Sequence, residues 1–195
     1  MTSFIVAAAT AYLLGSIPFA FLLARRRGID LRRAGSGNVG ASNVLRTSGV
    51  SLAVLAIALD GLKGTLAVLI AERVSAVPAA PVAAGLASVL GHVYPVWLRF
   101  HGGKGVATAA GVFTLLAPAA LTAAAAVFAI AVVATRVISV GSVSAAVTLP
   151  IATALMDAPR LVVAGAVLAA AIIVYSHRAN LARLVAGTER RVGGA

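Results

Sequence analysis

The stretch best suited to chemistry lies near the N-terminal end, between Arg32 and Arg46. It holds three glycines, two serines, two asparagines and three arginines in a chain that is otherwise mostly apolar. Glycine lets main-chain N–H groups converge on a ligand, and arginine matches the oxygens of an anion such as phosphate. The composition of the stretch therefore fits a phosphate site. The alternative is an interfacial loop whose arginines only fix the topology in a membrane.

A second glycine-rich basic loop runs from Arg99 to Gly105 and reads RFHGGKG. Lys104 stands between glycines as in a nucleotide-binding P-loop, but the P-loop pattern GxxxxGK[ST] is not met. Leu98 stands where the first glycine belongs, and Gly105 stands where Ser or Thr belongs. The loop is therefore a second candidate for binding an anion, and a nucleotide is disfavoured.

The histidines and serines offer few other chemistries. His177 precedes Asn180 by three residues, so the two share a face if the segment is helical, and His177 then acts as a base or orders its neighbours. His92 is expected to be an interfacial or packing residue, and His101 a solvated one. No metal site is expected from these histidines. Ser36 lacks a recognisable catalytic triad, so a hydrogen bond to phosphate is its expected role.

The elements that position these residues must be membrane helices. Of 195 residues, 61% are hydrophobic and 11% charged, and the mean hydropathy is +1.04. Apolar runs long enough to cross a bilayer leave no room for a separate soluble domain, so residues 1–195 are expected to form a single membrane domain. The absence of cysteine excludes disulfides and thiol chemistry.

The net charge of +11 lies in short clusters between apolar runs. This distribution is typical of the positive-inside pattern of membrane proteins and argues against a nucleic-acid partner. The first apolar run, Ser3 to Ala24, precedes its arginines and is interpreted as a retained helix with a kink at Pro18 and its N-terminus outside.

The second helix, Val50 to Ala71, carries Asp60 and Lys63 three residues apart on one face. Charges inside a membrane face a bundle interior or a cavity, and a structural ion pair is favoured here over a catalytic one. The return helix should end near Trp97.

The segment from Val106 to Thr135 is too long for one ordinary span and contains Pro118, which predicts two short helices forming a hairpin. With this split, 13 of the 16 Lys and Arg residues lie on the inner side. The predicted fold is all-α, a polytopic membrane helical bundle of about seven transmembrane helices with the N-terminus outside and the C-terminus cytoplasmic. Four polar stretches, 35–46, 102–105, 139–144 and 177–180, then converge on the cytoplasmic face.

Six blocks of the chain resemble, in order, the bacterial membrane acyl-phosphate:glycerol-3-phosphate acyltransferase family. The match extends over nearly the whole length, and its one departure is Ser42, where threonine is expected. The blocks are GSIPFAFLLA at Gly15 to Ala24, GSGNVGASNVLR at Gly35 to Arg46, DGLKG at Asp60 to Gly64, GHVYPVWLRFHGGKGVAT at Gly91 to Thr108, SVGS at Ser139 to Ser142 and HRANLARLVAGTE at His177 to Glu189.

The resemblance implies transfer of a fatty acyl group from acyl phosphate to the 1-hydroxyl of glycerol 3-phosphate, giving lysophosphatidic acid and inorganic phosphate, without a cofactor or metal. Its expected partners are these two substrates and the lipid bilayer of the bacterial inner membrane, with the active site facing the cytoplasm. Glu189 is implied to be structural. The implied catalytic residues are Ser36, Arg46, Lys104, His177 and Asn180. The implied substrate-binding residues are Gly35, Gly37, Asn38, Ser42, Asn43, Gly102, Gly103, Gly105 and Ser142.

Two other classes of function compete with an acyltransferase. A small phosphate or organic-anion transporter would usually bind its substrate at the bilayer midplane on broken helices, whereas these motifs are expected at one interfacial level. A noncatalytic membrane subunit would leave the glycine-arginine loops unexplained. Residue chemistry alone supports a cytoplasm-facing phosphate site in a membrane protein, and the resemblance selects the reaction.

Overall fold

The computed structural model describes residues 1–193 and is all-helical over that range, as predicted. Ten α-helices and one short 3-10 helix at Val96–Leu98 account for its regular structure. The helices are α1 Thr2–Ser16, α2 Phe19–Arg25, α3 Ala41–Ser48, α4 Val50–Val74, α5 Ala80–Val93, α6 Val106–Leu116, α7 Pro118–Thr135, α8 Ile138–Leu155, α9 Arg160–Ser176 and α10 Arg178–Val185.

Two prolines interrupt helices where the sequence predicts interruptions. Pro18 separates α1 from α2, because proline has no N–H to donate and its ring obstructs the preceding turn. Pro118 opens α7 directly after α6 ends at Leu116, which confirms the break in the long segment. The second half of that segment is a helix of 18 residues, longer than the short helix expected.

Within residues 1–193, five helical segments are long and apolar enough to cross a bilayer, or six if the bent pair α9 and α10 is counted as one span. Helix α6 is a further apolar helix of 11 residues. An integral membrane protein with multiple spans is therefore confirmed, while seven spans and their orientation stay predictions. The five segments are Thr2–Arg25, Val50–Val74, Ala80–Leu98, Pro118–Thr135 and Ile138–Leu155.

The contacts of the chain divide it into two units, of which unit 1 is Met1–Leu115. Helix α1 packs on α5 and α4, which also pack on each other. Gly15 and Gly91 permit the close approach of α1 and α5, since a Cβ at either glycine would overlap the opposing backbone. Small residues of this kind let membrane helices pack tightly. One cluster of buried alanines fills this packing: Ala7, Ala11, Ala67, Ala71, Ala80 and Ala84.

Unit 2 begins at Leu116 and is built on α7, α8 and α9, each packed on the next along the chain. Gly141 of α8 lies against the backbone carbonyl and ring of Phe128, where any side chain would overlap them. The axis bends by 55° between α9 and α10, and His177 stands at the bend. Two of the predicted site residues, His177 and Asn180, lie at this bend.

Candidate functional site

The first glycine-rich loop is organised by the side chain of Asn43, which is fully buried in α3. Its Oδ1 accepts a hydrogen bond from the main-chain N–H of Ser36 at 2.8 Å. Its Nδ2 donates to three loop carbonyls, those of Leu31, Ala34 and Asn38, at 2.9–3.1 Å. One amide thus satisfies buried backbone groups that a loop without regular structure cannot pair by itself. Asn43 fixes the shape of the loop.

Glycine is required in this loop by the backbone itself. Gly35 and Gly37 have φ values of +61° and +76°, in the left-handed region that side chains disfavour. A Cβ on Gly35 would in addition overlap Asn43 Oδ1. The two glycines flank Ser36, which is exposed. The loop therefore presents the Ser36 hydroxyl on a backbone that the buried Asn43 side chain holds in place.

The first and second glycine-rich loops are neighbours in unit 1. Asn38 Nδ2 donates to the carbonyl of Gly102 at 3.4 Å, and Asn38 Oδ1 accepts from Gly40 N at 2.9 Å. A Cβ on Gly40 would lie 3.9 Å from the Cα of Gly103. The predicted meeting of these two polar stretches is confirmed. We call residues 35–46 and 102–105 together the glycine-loop cluster.

The second loop is held by the end of α5. Gly102 N donates to the carbonyl of Val93 at 3.0 Å, and Gly103 N donates to the carbonyl of His92 at 3.1 Å. Gly105 then takes a φ of +84° and leads into α6, which starts at Val106. Lys104 lies at this helix start, where the positive end of the helix dipole adds to its own charge. The combination is suited to holding an anion.

The arginines of the first loop differ in surroundings. Arg32 makes a two-pronged ion pair with Asp30, with Nε to Oδ1 at 3.0 Å and Nη2 to Oδ2 at 2.8 Å. This hydrogen-bonded partner holds the pKa of Asp30 well below its usual range and raises the pKa of Arg32. Arg46 stands elsewhere, exposed in the last turn of α3. Arg32 is thus already matched by an internal anion.

A cluster of ionisable side chains lies beneath the second loop. Lys63 Nζ is 2.9 Å from Asp60 Oδ1, which agrees with the predicted structural pair. His92 Nδ1 lies 3.5 Å from the same oxygen, a contact that sequence reasoning missed. A signal did exist: Asp60 lies 14 residues before the end of α4, and His92 lies 12 residues after the start of α5. When two consecutive helices are antiparallel, residues at similar distances from the link between them lie at a similar level along the pair.

In unit 2, His177 is buried at the junction of α9 and α10. Its Nδ1 lies 2.8 Å from the carbonyl oxygen of Ile173, which can only accept, so Nδ1 carries a proton. In the neutral ring, Nε2 is then the basic nitrogen. The main-chain N–H of Asn180 donates to the carbonyl of His177 at 2.8 Å. The geometry orients one imidazole and one amide within a single turn.

Glu189 is the centre of a second polar cluster, also in unit 2. Its Oε1 accepts hydrogen bonds from Ser139 Oγ and Asn180 Nδ2, and its Oε2 accepts from Arg183 Nε at 2.8 Å. Burial raises the pKa of Glu189, but these three donors outweigh it and hold the pKa below its ordinary value. We call Ser139, Asn180, Arg183 and Glu189 the Glu189 cluster. It agrees with the structural role expected of Glu189.

The predicted site residues thus fall into two groups. The first two polar stretches meet in unit 1, and the last two lie in unit 2, where Ser139 and Asn180 share Glu189. Ser142 is buried in α8, and Ser42 is half-buried in α3. His101 is exposed, as expected. Convergence of all four stretches stays a prediction.

Comparison with known families and proteins points to one activity. The family model for "Glycerol-3-phosphate acyltransferase" matches residues 5–187. A protein of that name from Geotalea daltonii is 47% identical over 189 residues, covering 97% of this chain and 97% of its own. Another of that name from Myxococcus xanthus is 48% identical over 185 residues, covering 92% of this chain and 95% of its own.

Solved structures resemble this chain over nearly its full length. The crystal structure of PlsY (YgiH), an integral membrane glycerol 3-phosphate acyltransferase, in its glycerol 3-phosphate form has a TM-score of 0.93. It is 41% identical and covers 98% of this chain and 96% of that chain. The lysophosphatidic acid form of PlsY gives a TM-score of 0.91 at 40% identity, with the same coverage.

Proposed function

Since the chain belongs to the glycerol-3-phosphate acyltransferase family, we propose that it acylates the 1-hydroxyl of glycerol 3-phosphate, with a fatty acyl phosphate as donor. The products are lysophosphatidic acid and inorganic phosphate, and the reaction begins phospholipid synthesis. The acceptor and the product correspond to the two forms in which the related PlsY was crystallised. The activity of an enzyme on two phosphate compounds accounts for two adjacent glycine-rich loops better than a single-anion site does.

The observation that carries the proposal is the contact between the two loops. Asn38 joins them through the carbonyl of Gly102, and Gly40 lies against Gly103. Both loops belong to unit 1 and bring a cation each, Arg46 and Lys104. A paired arrangement of this kind offers main-chain N–H groups and positive charge to phosphate oxygens.

The reaction requires little covalent chemistry from the protein. The 1-hydroxyl oxygen of glycerol 3-phosphate attacks the acyl carbonyl carbon and forms the new ester bond. The bond from that carbon to the phosphate oxygen then breaks, and phosphate leaves with the electron pair. The hydroxyl proton passes to a phosphate oxygen, so atoms and charge balance. The protein contributes orientation of the two reactants and stabilisation of the oxyanion.

Within unit 1, we assign substrate contacts to exposed or half-buried groups of the glycine-loop cluster. Ser36 donates its hydroxyl to a phosphate oxygen, and Arg46 and Lys104 neutralise phosphate charge. Gly35, Gly37, Asn38 and Ser42 shape and line the first loop. Gly102 lines the second loop, and the buried Gly103 and Gly105 shape it. Asn43 acts indirectly, because its buried amide holds the loop that carries Ser36.

Within unit 2, roles for His177, Asn180 and Ser142 rest on the family resemblance. The proton on His177 Nδ1 faces the carbonyl of Ile173, so the ring orients neighbouring groups through Nε2 in its neutral form. Asn180 is held by Glu189 and binds phosphate in the proposal carried over from the family. A His177→Ala variant that binds both substrates and forms no product would assign the histidine to proton transfer.

We also propose that the protein resides in the bacterial inner membrane with seven spans and a cytoplasmic site. The absence of cysteine makes the topology directly testable with single cysteines. Arg26→Cys is expected to react with a membrane-impermeant maleimide only after the cytoplasmic side is opened. Val77→Cys, in the link between α4 and α5, is expected to react in intact spheroplasts. The opposite labelling would reverse the proposed orientation.

The proposed reaction is tested with the protein purified in detergent. Labelled palmitoyl phosphate, palmitoyl-CoA and palmitoyl-acyl carrier protein are offered separately with glycerol 3-phosphate. Lysophosphatidic acid is expected from palmitoyl phosphate alone. Product from a thioester would show that the assigned donor is wrong. No product from any donor, together with uptake of phosphate into proteoliposomes, would overturn the acyltransferase in favour of a transporter.

A further inference from the structure

Three ionisable side chains meet in the interior of unit 1 without a role in the reaction described above. Asp60 and Lys63 are each 1% exposed, and the side chain of His92 is 10% exposed. Lys63 Nζ and His92 Nδ1 approach the same oxygen, Asp60 Oδ1. Buried ion pairs stabilise proteins little or not at all compared with apolar side chains of similar volume. Stability is therefore a weak reason for this triad.

The triad touches the second glycine-rich loop through His92. The main-chain carbonyl of His92 accepts the N–H of Gly103 at 3.1 Å. A Cβ placed on Gly103 would overlap Nε2 of the His92 ring, so the imidazole lies directly against the Gly103 backbone. The ring thus has Asp60 at one nitrogen and the loop at the other. The orientation of the His92 ring therefore fixes the position of the Gly103 backbone.

The other end of the triad anchors the break between α1 and α2. Lys63 Nζ donates to the carbonyl of Ile17 at 2.9 Å, just before Pro18. The same ammonium lies 5.8 Å from the ring centroid of Phe19, within the range of a cation–π contact. One cavity is lined by all three triad residues together with Ile17, Pro18, Gly102 and Gly103. The triad therefore connects a helix break to the glycine loop.

We propose that Asp60, Lys63 and His92 are positioning residues for substrate binding. Lys63 fixes the Asp60 carboxylate, the carboxylate orients the His92 imidazole, and His92 holds the Gly102–Gly103 segment in the conformation that receives a substrate phosphate. The inference rests on the proposed function, because it requires the second loop to bind phosphate. A triad that only joined helices would have no effect on substrate binding once the fold was intact.

The test compares a variant that leaves one buried charge unpaired with a variant that removes both charges. Asp60→Asn alone leaves Lys63 buried without its anion and should lower the melting temperature. The double variant Asp60→Asn/Lys63→Met is neutral and of similar volume, so it should regain most of that loss. His92→Phe keeps a ring against Gly103 but removes the nitrogen that faces Asp60. Thr65→Val is the matched control, because it removes a hydrogen bond to Gly111 from the same helix.

Each variant is assayed for its melting temperature, its Kd for glycerol 3-phosphate by calorimetry, and its kcat and KM for both substrates. In the double variant and in His92→Phe, binding of at least one substrate should weaken about 10-fold, with a smaller change in kcat. Thr65→Val should bind both substrates as the parent does.

Parental binding constants in both the double variant and His92→Phe would overturn the positioning role and leave the triad structural. An equal loss in Thr65→Val would overturn it as well, because disturbance of α4 alone would then suffice. The proposed function fails separately, in the parent protein, if that protein binds glycerol 3-phosphate but forms no lysophosphatidic acid from acyl phosphate. The comparison of Kd values between the parent protein and the triad variants then still measures the effect of the triad on the second loop.

Discussion

The glycine-loop cluster and the Glu189 cluster use polar residues in opposite ways. In the glycine-loop cluster, a neutral amide, Asn43, holds the backbone from within, and Arg46 and Ser36 stand exposed. In the Glu189 cluster, a carboxylate sits at the centre and three side chains donate to it. Residues 35–46 and 102–105 include no Asp or Glu, whereas the other cluster is built around a carboxylate.

This difference indicates which cluster is prepared for a ligand. A phosphate site loses affinity when a carboxylate competes for its cations. Asp30, the carboxylate nearest in sequence to the first loop, is paired with Arg32. Arg32 is thereby committed to Asp30, and Arg46 and Lys104 are the cations that we assign to substrate. The Glu189 cluster fixes the segment after α10 and holds the side chain of Asn180, the one member that we assign to substrate.

The largest expected effect comes from the cations of the glycine-loop cluster. Lys104→Ala and Arg46→Ala should each lower kcat/KM by about 100-fold or more, because each removes a positive charge that we assign to stabilising the phosphate and the oxyanion. Arg32→Ala is the matched control and should retain most activity, since Arg32 serves Asp30. An equal loss in Arg32→Ala would remove the distinction drawn between the arginines.

The next effect concerns the amide that shapes the first loop. Asn43→Asp keeps the size of the side chain but replaces the donor to three carbonyls with an acceptor. We expect KM for at least one substrate to rise about 10-fold and stability to fall by about 2 kcal/mol, the range for buried groups left unpaired. Thr47→Val, one turn along α3, should change both by much less. A KM unchanged in Asn43→Asp would show that loop shape is unimportant for binding.

The sequence predicted the helices better than the contacts between them. Apolar runs and two prolines, Pro18 and Pro118, located the elements, because burial in a membrane and the missing N–H of proline act locally. Glycine and arginine content located both loops, because composition is also a local property of the sequence. The resemblance to a family supplied the reaction, which residue chemistry alone left at the level of a phosphate site.

Roles that depend on distant partners escaped sequence reasoning. Asn43 was predicted to bind substrate with its loop neighbours, yet it is fully buried and holds the loop. His92 was expected to be an interfacial or packing residue, and its contact with Asp60, 32 residues away in sequence, joins α4 to α5. Such contacts depend on helix rotation and depth, which composition and spacing leave open. In a sequence, an asparagine whose side chain faces a ligand cannot be told from one whose side chain faces a main-chain carbonyl.

The Glu189 cluster should respond in stability more than in binding. Glu189→Gln replaces one acceptor oxygen with a donor that opposes Arg183 or Asn180, and should lower the free energy of unfolding by about 1–2 kcal/mol. The KM values should change less than in Asn43→Asp. Glu72→Gln is the matched control, because Glu72 is exposed at the end of α4. A KM that rose in Glu189→Gln as much as in Asn43→Asp, with the free energy of unfolding unchanged, would show that Glu189 itself acts in substrate binding.

The smallest effect is the pH dependence of the same cluster. The three donors lower the pKa of Glu189 in the folded protein, so the folded state favours the carboxylate. Its contribution to stability is complete above the unfolded pKa of about 4.3 and is lost as the pH falls through the lower folded pKa. The difference in melting temperature between the parent and Glu189→Gln should therefore stay constant from about pH 8 to pH 6 and shrink below about pH 4. A difference that grew on acidification would mean that the carboxyl group is protonated more readily in the folded state, and the donors would then fail to outweigh burial.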